Sequence, residues 1–350
     1  MIWKIKLDHS ETVEIEVGQK NQIIGQNVDK IKKIQKVLGL FFNKKKYDEL
    51  VLRDFGMEEP WIQENNELIS KSRFNFFSYG SMEEIYKELE LGNKKILDEI
   101  FDNFLNSDIN ITEISNQIDT ASKSILFLFE KYLKENIFNS IEMDLEFSKK
   151  LMIDYLKKNT TINYYDEIDQ RNISYFDKIT IIKVFINLIK YSLSNSGDRI
   201  LLVVKDSPNF LSKKQYLELY RLMSSLSDEF PNFYFMMIHS DVEYLSLDEN
   251  SNITILNDVK FEVNDLEFLY ERLKFNYPSK YIEYEDFFET GNKWLGYIGS
   301  FDIPNINSQY LVSLIVLNKL LGIVNNDYLY TTSLSEPEIK YLIDNLRRTL

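Results

Sequence analysis

The stretch ILLVVKDSPNFLS, residues 200–212, decides how the chain folds. It begins with five apolar residues, Ile200 to Val204, and a continuous run of this length is typical of a strand buried on both faces of a parallel sheet. It ends at Ser212, which with Gln215 forms a capping-box pair that predicts a helix running through Leu226. A strand, a short loop and a helix in this order form the first half of a strand–helix–strand crossover.

Two later apolar runs, Phe233 to Ile238 and Ile253 to Leu256, predict further buried strands. Their spacing suits right-handed crossovers in a mainly parallel sheet. Before residue 25, apolar residues alternate with polar ones, which predicts two or three short strands that most simply join the same sheet. The sequence therefore predicts an α/β fold.

Most of the remaining chain has helical periodicity. It begins at Asn27 with a basic amphipathic helix, continues almost without interruption from about residue 57 to residue 192, and returns after residue 261. Ser335 and Glu338 form another capping-box pair in this last region. We therefore predict an α/β head domain formed by residues 1–56 and 170–260, an inserted helical lobe of residues 57–169, and a helical C-terminal extension of residues 261–350.

The composition excludes several classes of protein. Lysine and arginine number 41 against 55 aspartate and glutamate residues, a net charge of −14, so nucleic acid can bind only to a local patch. The absence of cysteine excludes disulfides, thiolate nucleophiles and the usual structural zinc sites, and only His9 and His239 offer imidazole chemistry. The sequence contains neither a signal peptide nor a run of 18 uncharged apolar residues, so we expect a soluble cytoplasmic protein without a membrane partner.

Three segments resemble the nucleotide site of ATP-binding-cassette and chromosome-maintenance ATPases, but they lack the residues that bind phosphate and metal in those enzymes. Gly25 and Asn27 lie where those ATPases carry a G-x-N-G-x-G-K-[ST] loop, but the other glycines, the phosphate-binding lysine and the hydroxyl are missing. Lys205 takes the position of the metal-coordinating aspartate, and Asp206 takes that of the glutamate. His239 corresponds to the switch histidine, although a polar cap on a buried strand end is the simpler interpretation. We therefore expect a degenerate P-loop ATPase-like sheet that does not bind ATP.

These segments, together with a helical lobe inserted after the first helix, resemble one family closely. The sequence LLVVKDSPNFLSKKQY at residues 201–216, followed by FYFMMIHS at residues 233–240, is similar to the CRISPR-associated Csn2 family of type II-A systems in its long form. The resemblance covers roughly residues 1–260. It implies a non-catalytic homotetrameric ring whose central hole binds the ends of double-stranded DNA during the acquisition of new spacers. The partners it implies are the adaptation integrase and the effector nuclease.

The resemblance also implies calcium, which accompanies the ring-forming conformation of the family. The sequence contains no D-x-D-x-D-G loop, so spacing alone assigns no calcium ligands. The densest carboxylate cluster near a predicted domain junction is Asp166, Glu167 and Asp169. We take these three as candidate metal ligands, with an acidic first turn of a helix as the alternative interpretation.

Eight lysines between residues 20 and 46 are the candidate DNA-binding residues, and Asp29 is the single acid among them. A local charge of +7 within an anionic chain is what a phosphate-binding surface requires, although a solvated helix face explains it equally well from the residues alone. Because lysine contacts phosphate as a point charge, we expect binding independent of base sequence. The eight lysines are Lys20, Lys30, Lys32, Lys33, Lys36, Lys44, Lys45 and Lys46, and weaker candidates are Arg53, Lys205, Lys213 and Lys214.

Two other functions stay open at this point. One is an ATPase of the cassette or chromosome-maintenance kind with an unorthodox nucleotide site. The other is a protein–protein scaffold in which the lysine-rich helix pairs with the acidic lobe of a neighbouring subunit. Residues 64–119 of that lobe contain twelve acids against five bases. The many aromatic residues fall mostly at apolar helical positions, where core packing explains them better than stacking on bases does.

Overall fold

The computed structural model describes residues 1–43, 47–92, 95–107, 109–136, 176–195, 197–303, 306–325 and 334–347. The chain divides into two compact units, the first formed by residues 1–82 and 196–350 and the second by residues 83–195. None of the described helices is both long enough and apolar enough to cross a membrane.

The first unit is built on two sheets. Its strands are, in chain order, Ile2–Lys6 (β1), Thr12–Glu16 (β2), Lys20–Ile24 (β3), Ile62–Glu64 (β4), Glu67–Leu68 (β5), Asn75–Tyr79 (β6), Ile200–Lys205 (β7), Phe233–His239 (β8), Asn252–Leu256 (β9) and Lys260–Val263 (β10). The central sheet has the order β10-β9-β3-β8-β7-β6, and only β10 in it is antiparallel to its neighbour. The predicted mainly parallel α/β sheet is therefore confirmed.

Helices of the first unit cover both faces of this sheet. They are Val28–Phe42 (α1), Glu49–Asp54 (α2), and, after the second unit, Lys213–Glu229 (α7), Leu266–Asn276 (α8), Tyr284–Gly291 (α9), Ser308–Leu320 (α10) and Glu336–Arg347 (α11). Leu201 and Ile238 point toward α1 and share its apolar core. Phe235 points the other way, where its ring contacts Tyr220 of α7. This alternation follows from the two-residue side-chain period of a strand.

The second unit is helical wherever it is described. Its elements are Met82–Glu88 (α3), which starts one residue before the boundary, Ile96–Ser107 (α4), Ile109–Asn136 (α5) and Lys178–Asn195 (α6). The unit boundaries differ from the predicted domains at both ends. Residues 57–82 belong to the first unit, whereas α6 belongs to the second.

The prediction that residues 57–169 are helical from their start is wrong, because β4, β5 and β6 lie within residues 62–79. These strands are two to five residues long, too short to show a period against the helices around them. The prediction that the N-terminal strands join the main sheet is right only for β3. Strands β1 and β2 instead form a separate antiparallel sheet, order β2-β1-β4-β5, since β1 pairs with both β2 and β4.

The C-terminal region is largely helical, as predicted, but it is not an appendage to the first unit. Its helices enclose an apolar core that includes Trp294 of the region itself together with Ile24 of β3 and Ile255 of β9. Ser335 caps α11, because its backbone N–H and hydroxyl both donate to the Glu338 carboxylate at 2.7 and 2.6 Å. Residues 261–350 therefore complete the core beside the central sheet.

Candidate nucleic-acid interface

Helix α1 carries most of the predicted DNA-binding lysines that the structure describes. The Asn27 side chain starts the helix by accepting a hydrogen bond from the backbone N–H of Lys30 at 3.1 Å. Ile31, Ile34 and Leu38 lie on one stripe and are fully buried, which fixes the helix against the sheet and turns the lysines away from the core.

Acids from the turn between β1 and β2 neutralise two of these lysines. The Lys33 ammonium lies 2.8 Å from Asp8 and 3.1 Å from Glu11, and Lys30 lies 3.0 Å from Glu11. Asp29 adds a third carboxylate 3.1 Å from Lys33. Hydrogen bonds to Asp8, Asp29 and Glu11 raise the pKa of Lys33, and the hydrogen bond from Lys33 holds the pKa of Asp8 well below its usual range. The charges of Lys30 and Lys33 are therefore balanced by carboxylates of the same chain, so these two lysines add less positive charge to the surface than the sequence count indicates.

Lys20 is not available to a phosphate. It is the first residue of β3, its side chain is buried, and its ammonium bridges Asp228 at 2.8 Å and Asp248 at 3.3 Å. A buried ammonium must be paired with carboxylates because the desolvation penalty of an isolated charge is prohibitive. The sequence placed Lys20 in the DNA-binding set, whereas the structure gives it an internal role.

On α1 and α2, as far as these helices are described, three of the candidate cations remain open to an external anion. Lys32 is exposed and has no ion pair with any described residue. Lys36 is about half exposed and pairs with Asp54 at 2.6 Å, and Arg53 of α2 is 68% exposed with Glu49 3.9 Å away. We call Lys32, Lys36 and Arg53 the cation row. The predicted site residues Lys44, Lys45 and Lys46 lie outside the described residues.

The other weaker candidates lie at the carboxyl end of β7 and the start of α7. Lys205 ends β7 and is half buried, and Lys213 and Lys214 form the first turn of α7. None of the three makes an ion pair with a described residue. Ser212 caps α7 through the predicted reciprocal capping box with Gln215, so this part of the sequence analysis is confirmed.

The turn between β3 and α1, where an ATPase would hold phosphate, is closed by the chain itself. The backbone N–H of Gln26 donates to the Asn257 side chain at 2.7 Å, and that of Asn27 donates to the Leu256 carbonyl at 2.9 Å. The amide group of Asn257 is held in turn by the carbonyls of Gly296 and Ile298 at 2.9 and 2.7 Å. The amides that would have to converge on a phosphate are thus already bonded.

Asp206 and His239, the other residues compared with the ATPase site in the sequence, also make contacts within the chain. Asp206 has a left-handed backbone, φ 46°, and its carboxylate accepts a hydrogen bond from Gln35 of α1 at 3.2 Å. His239 ends β8, is 1% exposed, and its Nε2 lies 3.3 Å from the Tyr216 hydroxyl. Burial lowers the pKa of His239 to about 4, so the ring is neutral at pH 7. This geometry matches a polar residue at a buried strand end.

His239 makes the stability of the protein depend on pH in a defined window. Between pH 6.5 and pH 4 the unfolded chain binds a proton at this ring and the folded chain does not, so stability falls as the pH falls. We expect wild type to lose about 3 kcal/mol more than His239→Gln between pH 7 and pH 4, by urea unfolding at each pH. His9→Gln, at an exposed histidine, should follow wild type. Parallel profiles for wild type and His239→Gln would contradict the assignment.

The candidate calcium ligands Asp166, Glu167 and Asp169 lie outside the described residues. Within the described ranges, no group of three or more histidine, aspartate or glutamate side chains is arranged to hold a metal ion. In the described part of the chain, calcium therefore has no ligand cluster of this kind.

Comparison with known families gives the decisive observation. The model of the family described as "CRISPR-associated protein Csn2 subfamily St" matches residues 5–343. The chain belongs to the Csn2 family. The resemblance seen in the sequence is confirmed, and the match runs past residue 260, so the C-terminal region is part of this Csn2 subfamily's pattern. No curated protein matches the chain.

One solved structure agrees closely on the fold, and two others are more distant. The crystal structure of Stu0660 of Streptococcus thermophilus has a TM-score of 0.84 and 24% identity, covering 98% of this Csn2 chain and 100% of that one. The Smc head domain of Pyrococcus furiosus with an extended coiled coil, bound to the C-terminal domain of ScpA, has a TM-score of 0.38 and 11% identity over 78% of this chain and 98% of that one. An SmcHead bound to the C-winged helix domain of ScpA has a TM-score of 0.41 and 10% identity over 77% and 98%. The two Smc likenesses are too distant to establish the predicted P-loop ATPase-like label.

Proposed function

We propose that this chain is a non-catalytic protein that binds the ends of double-stranded DNA during the acquisition of new CRISPR spacers. The observation that carries the proposal is the match of the Csn2 family model across residues 5–343, which gives a CRISPR-associated role. The acting form is a homotetrameric ring with DNA in its central hole. The adaptation integrase and the effector nuclease are its proposed partners, and calcium its proposed ion.

The cation row supports the DNA-binding part of the proposal. Lys32 is free of internal pairs among the described residues, and the exposed pair of Lys36 with Asp54 is of a kind worth only about 0.2 to 1 kcal/mol. A phosphate can therefore displace Asp54 at little cost. Fourfold repetition around a hole would bring several such rows onto one duplex, which compensates for the few free cations on each chain.

The geometry disfavours an ATPase. The bonded amides of Gln26 and Asn27 leave no phosphate cradle at this turn, and Lys205 would repel magnesium; calorimetry with ATP and magnesium is expected to give no heat of binding. For the scaffold, Lys33 is already surrounded by three carboxylates of its own chain, but Lys32 and Lys36 could still pair with the acidic lobe of a neighbour. A scaffold of this kind would not distinguish linear from closed DNA.

Binding to linear and to covalently closed DNA tests the proposal directly. A ring threads onto a duplex only through an end, so the full chain is expected to retard a linear duplex and to leave a closed circle of the same sequence unbound. Affinity should fall with salt, log K dropping by about 0.9 for each neutralised phosphate per unit of log salt concentration. Native mass should correspond to four chains. Equal retardation of both DNA forms, or a monomeric mass, would contradict the ring.

A further inference from the structure

A cavity of about 610 Å³ lies between α7, α9 and the loop that follows β8. Lys20, the first residue of β3, lines it, so it lies at the opposite end of that strand from the Gly25 turn. Tyr220 of α7 also lines it, which places it on the sheet face away from α1. Its volume falls within the range of about 300 to 1,000 Å³ that is usual for small-molecule sites.

The charge of the lining favours a cation. The two carboxylates nearest Lys20, those of Asp228 and Asp248, more than neutralise its ammonium, and Asp248 also accepts a hydrogen bond from Ser224 at 2.7 Å. Two further acids outnumber the remaining base, so the cavity carries a formal charge of −2. The acids are Asp228, Asp248, Glu249 and Glu289, and the bases are Lys20 and Arg221.

One buried polar atom of the lining, the side-chain oxygen of Asn292, lacks a hydrogen-bond partner among the described residues. Tyr220, which is only 2% exposed, is in a different position. Burial raises the pKa of its hydroxyl, and a hydrogen bond with the Ser251 side chain acts in the opposite direction. The Asn292 oxygen can only accept, so it requires a donor. Buried polar groups are normally satisfied, and a ligand rich in N–H donors would satisfy this one.

The apolar part of the lining fits an aliphatic chain. Leu217 of α7, Leu247 of the loop and Phe288 of α9 provide it. We infer that this cavity binds a primary ammonium group carried on a methylene chain. Such a group occurs in a free polyamine and in the lysine side chain of a protein segment, and both present the same chemistry to the cavity.

Calorimetry at low salt with the full chain tests this inference. The probes are spermidine and Nα-acetyl-lysine methylamide, each titrated without DNA. At least one is expected to give saturable heat at one site, weakened by added salt. Saturable binding of spermidine alone supports a free polyamine as the ligand, whereas binding of the lysine derivative supports a protein segment. Absence of saturable heat from both probes overturns the inference.

Three variants give the test a matched control. Glu249 and Glu289 are exposed at the rim, so the double variant Glu249→Gln with Glu289→Gln should fold normally and bind about tenfold more weakly. Asn292→Leu removes the unpaired side-chain oxygen and should weaken binding about fivefold. Glu285→Gln, an exposed position of the same helix outside the cavity lining, should leave binding unchanged. Wild-type affinity in the Glu249 and Glu289 double variant would overturn the site.

Discussion

Replacing Lys32 and Lys36 together with glutamate is expected to reduce the affinity of the chain for duplex DNA about a hundredfold, with the oligomer intact. Both side chains are exposed on α1, and each substitution removes a phosphate contact and adds a repulsive charge. The salt slope should also fall by about 0.9 for each contact removed. Fluorescence anisotropy with a labelled duplex at several salt concentrations measures both quantities.

Lys33 does not belong in this test, although it is a neighbour in the sequence. Its ammonium is held by Asp8, Glu11 and Asp29. A glutamate at this position would place four carboxylates close together, and their repulsion would disturb the fold. A matched control is Lys274→Glu with Lys280→Glu, which makes the same change of charge at exposed positions on and just after α8. Because exposed charges are screened over about 10 Å, this control should bind DNA nearly as wild type does.

The substitution Asp54→Asn is expected to raise the affinity for duplex DNA instead of lowering it. It removes the carboxylate 2.6 Å from Lys36 and leaves that lysine free for phosphate. Affinity for duplex should then rise about threefold, in line with the strength of an exposed ion pair. A loss of affinity in Asp54→Asn, or full binding by the Lys32 and Lys36 double variant, would remove the cation row from the DNA-binding surface.

Those parts of the fold that depend on local pattern were predictable from the sequence. The apolar runs ending at Val204 and Ile238 became β7 and β8, and the serine at 212 caps α7 with its expected partner. Strand β6 was missed because its place depends on a partner far along the chain, with Asn75 opposite Ile200. The assignment of β1 and β2 to a second sheet was missed for the same reason. The alternation of apolar and polar residues in β1 predicts a strand but does not indicate that β4 will pair with it.

The candidate site shows the same limit in its electrostatics. Counting charges along residues 20–46 gave a strongly basic segment, yet Asp8, Glu11 and Asp54 lie outside that window and are carried to α1 by the fold. The sequence shows that these residues are acidic, but it does not show that they lie close to the lysines of α1. The missing glycines at Gly25 were visible in the sequence, whereas the identity of Asn257 as the group that closes the turn required tertiary structure.

Gly25→Ala is expected to destabilise the first unit by about 4 kcal/mol or more. Gly25 has φ 144°, which side-chain-bearing residues rarely adopt, and a Cβ there would stand 2.1 Å from the Leu256 carbonyl oxygen. That carbonyl accepts the Asn27 amide hydrogen bond, so relieving the clash would separate β9 from the start of α1. The clash is with backbone, and no side-chain rotation can remove it.

Urea unfolding followed by circular dichroism measures this loss, and Gly197→Ala is the matched control. Gly197 is exposed, and a Cβ there meets no atom within 4 Å, so the substitution should change the free energy of unfolding by less than about 1 kcal/mol. Equal stability of the two variants would mean that the turn between β3 and α1 can open without cost. The closure of the turn between β3 and α1 by Leu256 and Asn257 would then not be a fixed feature of the fold, and the case against a nucleotide site would lose its structural basis.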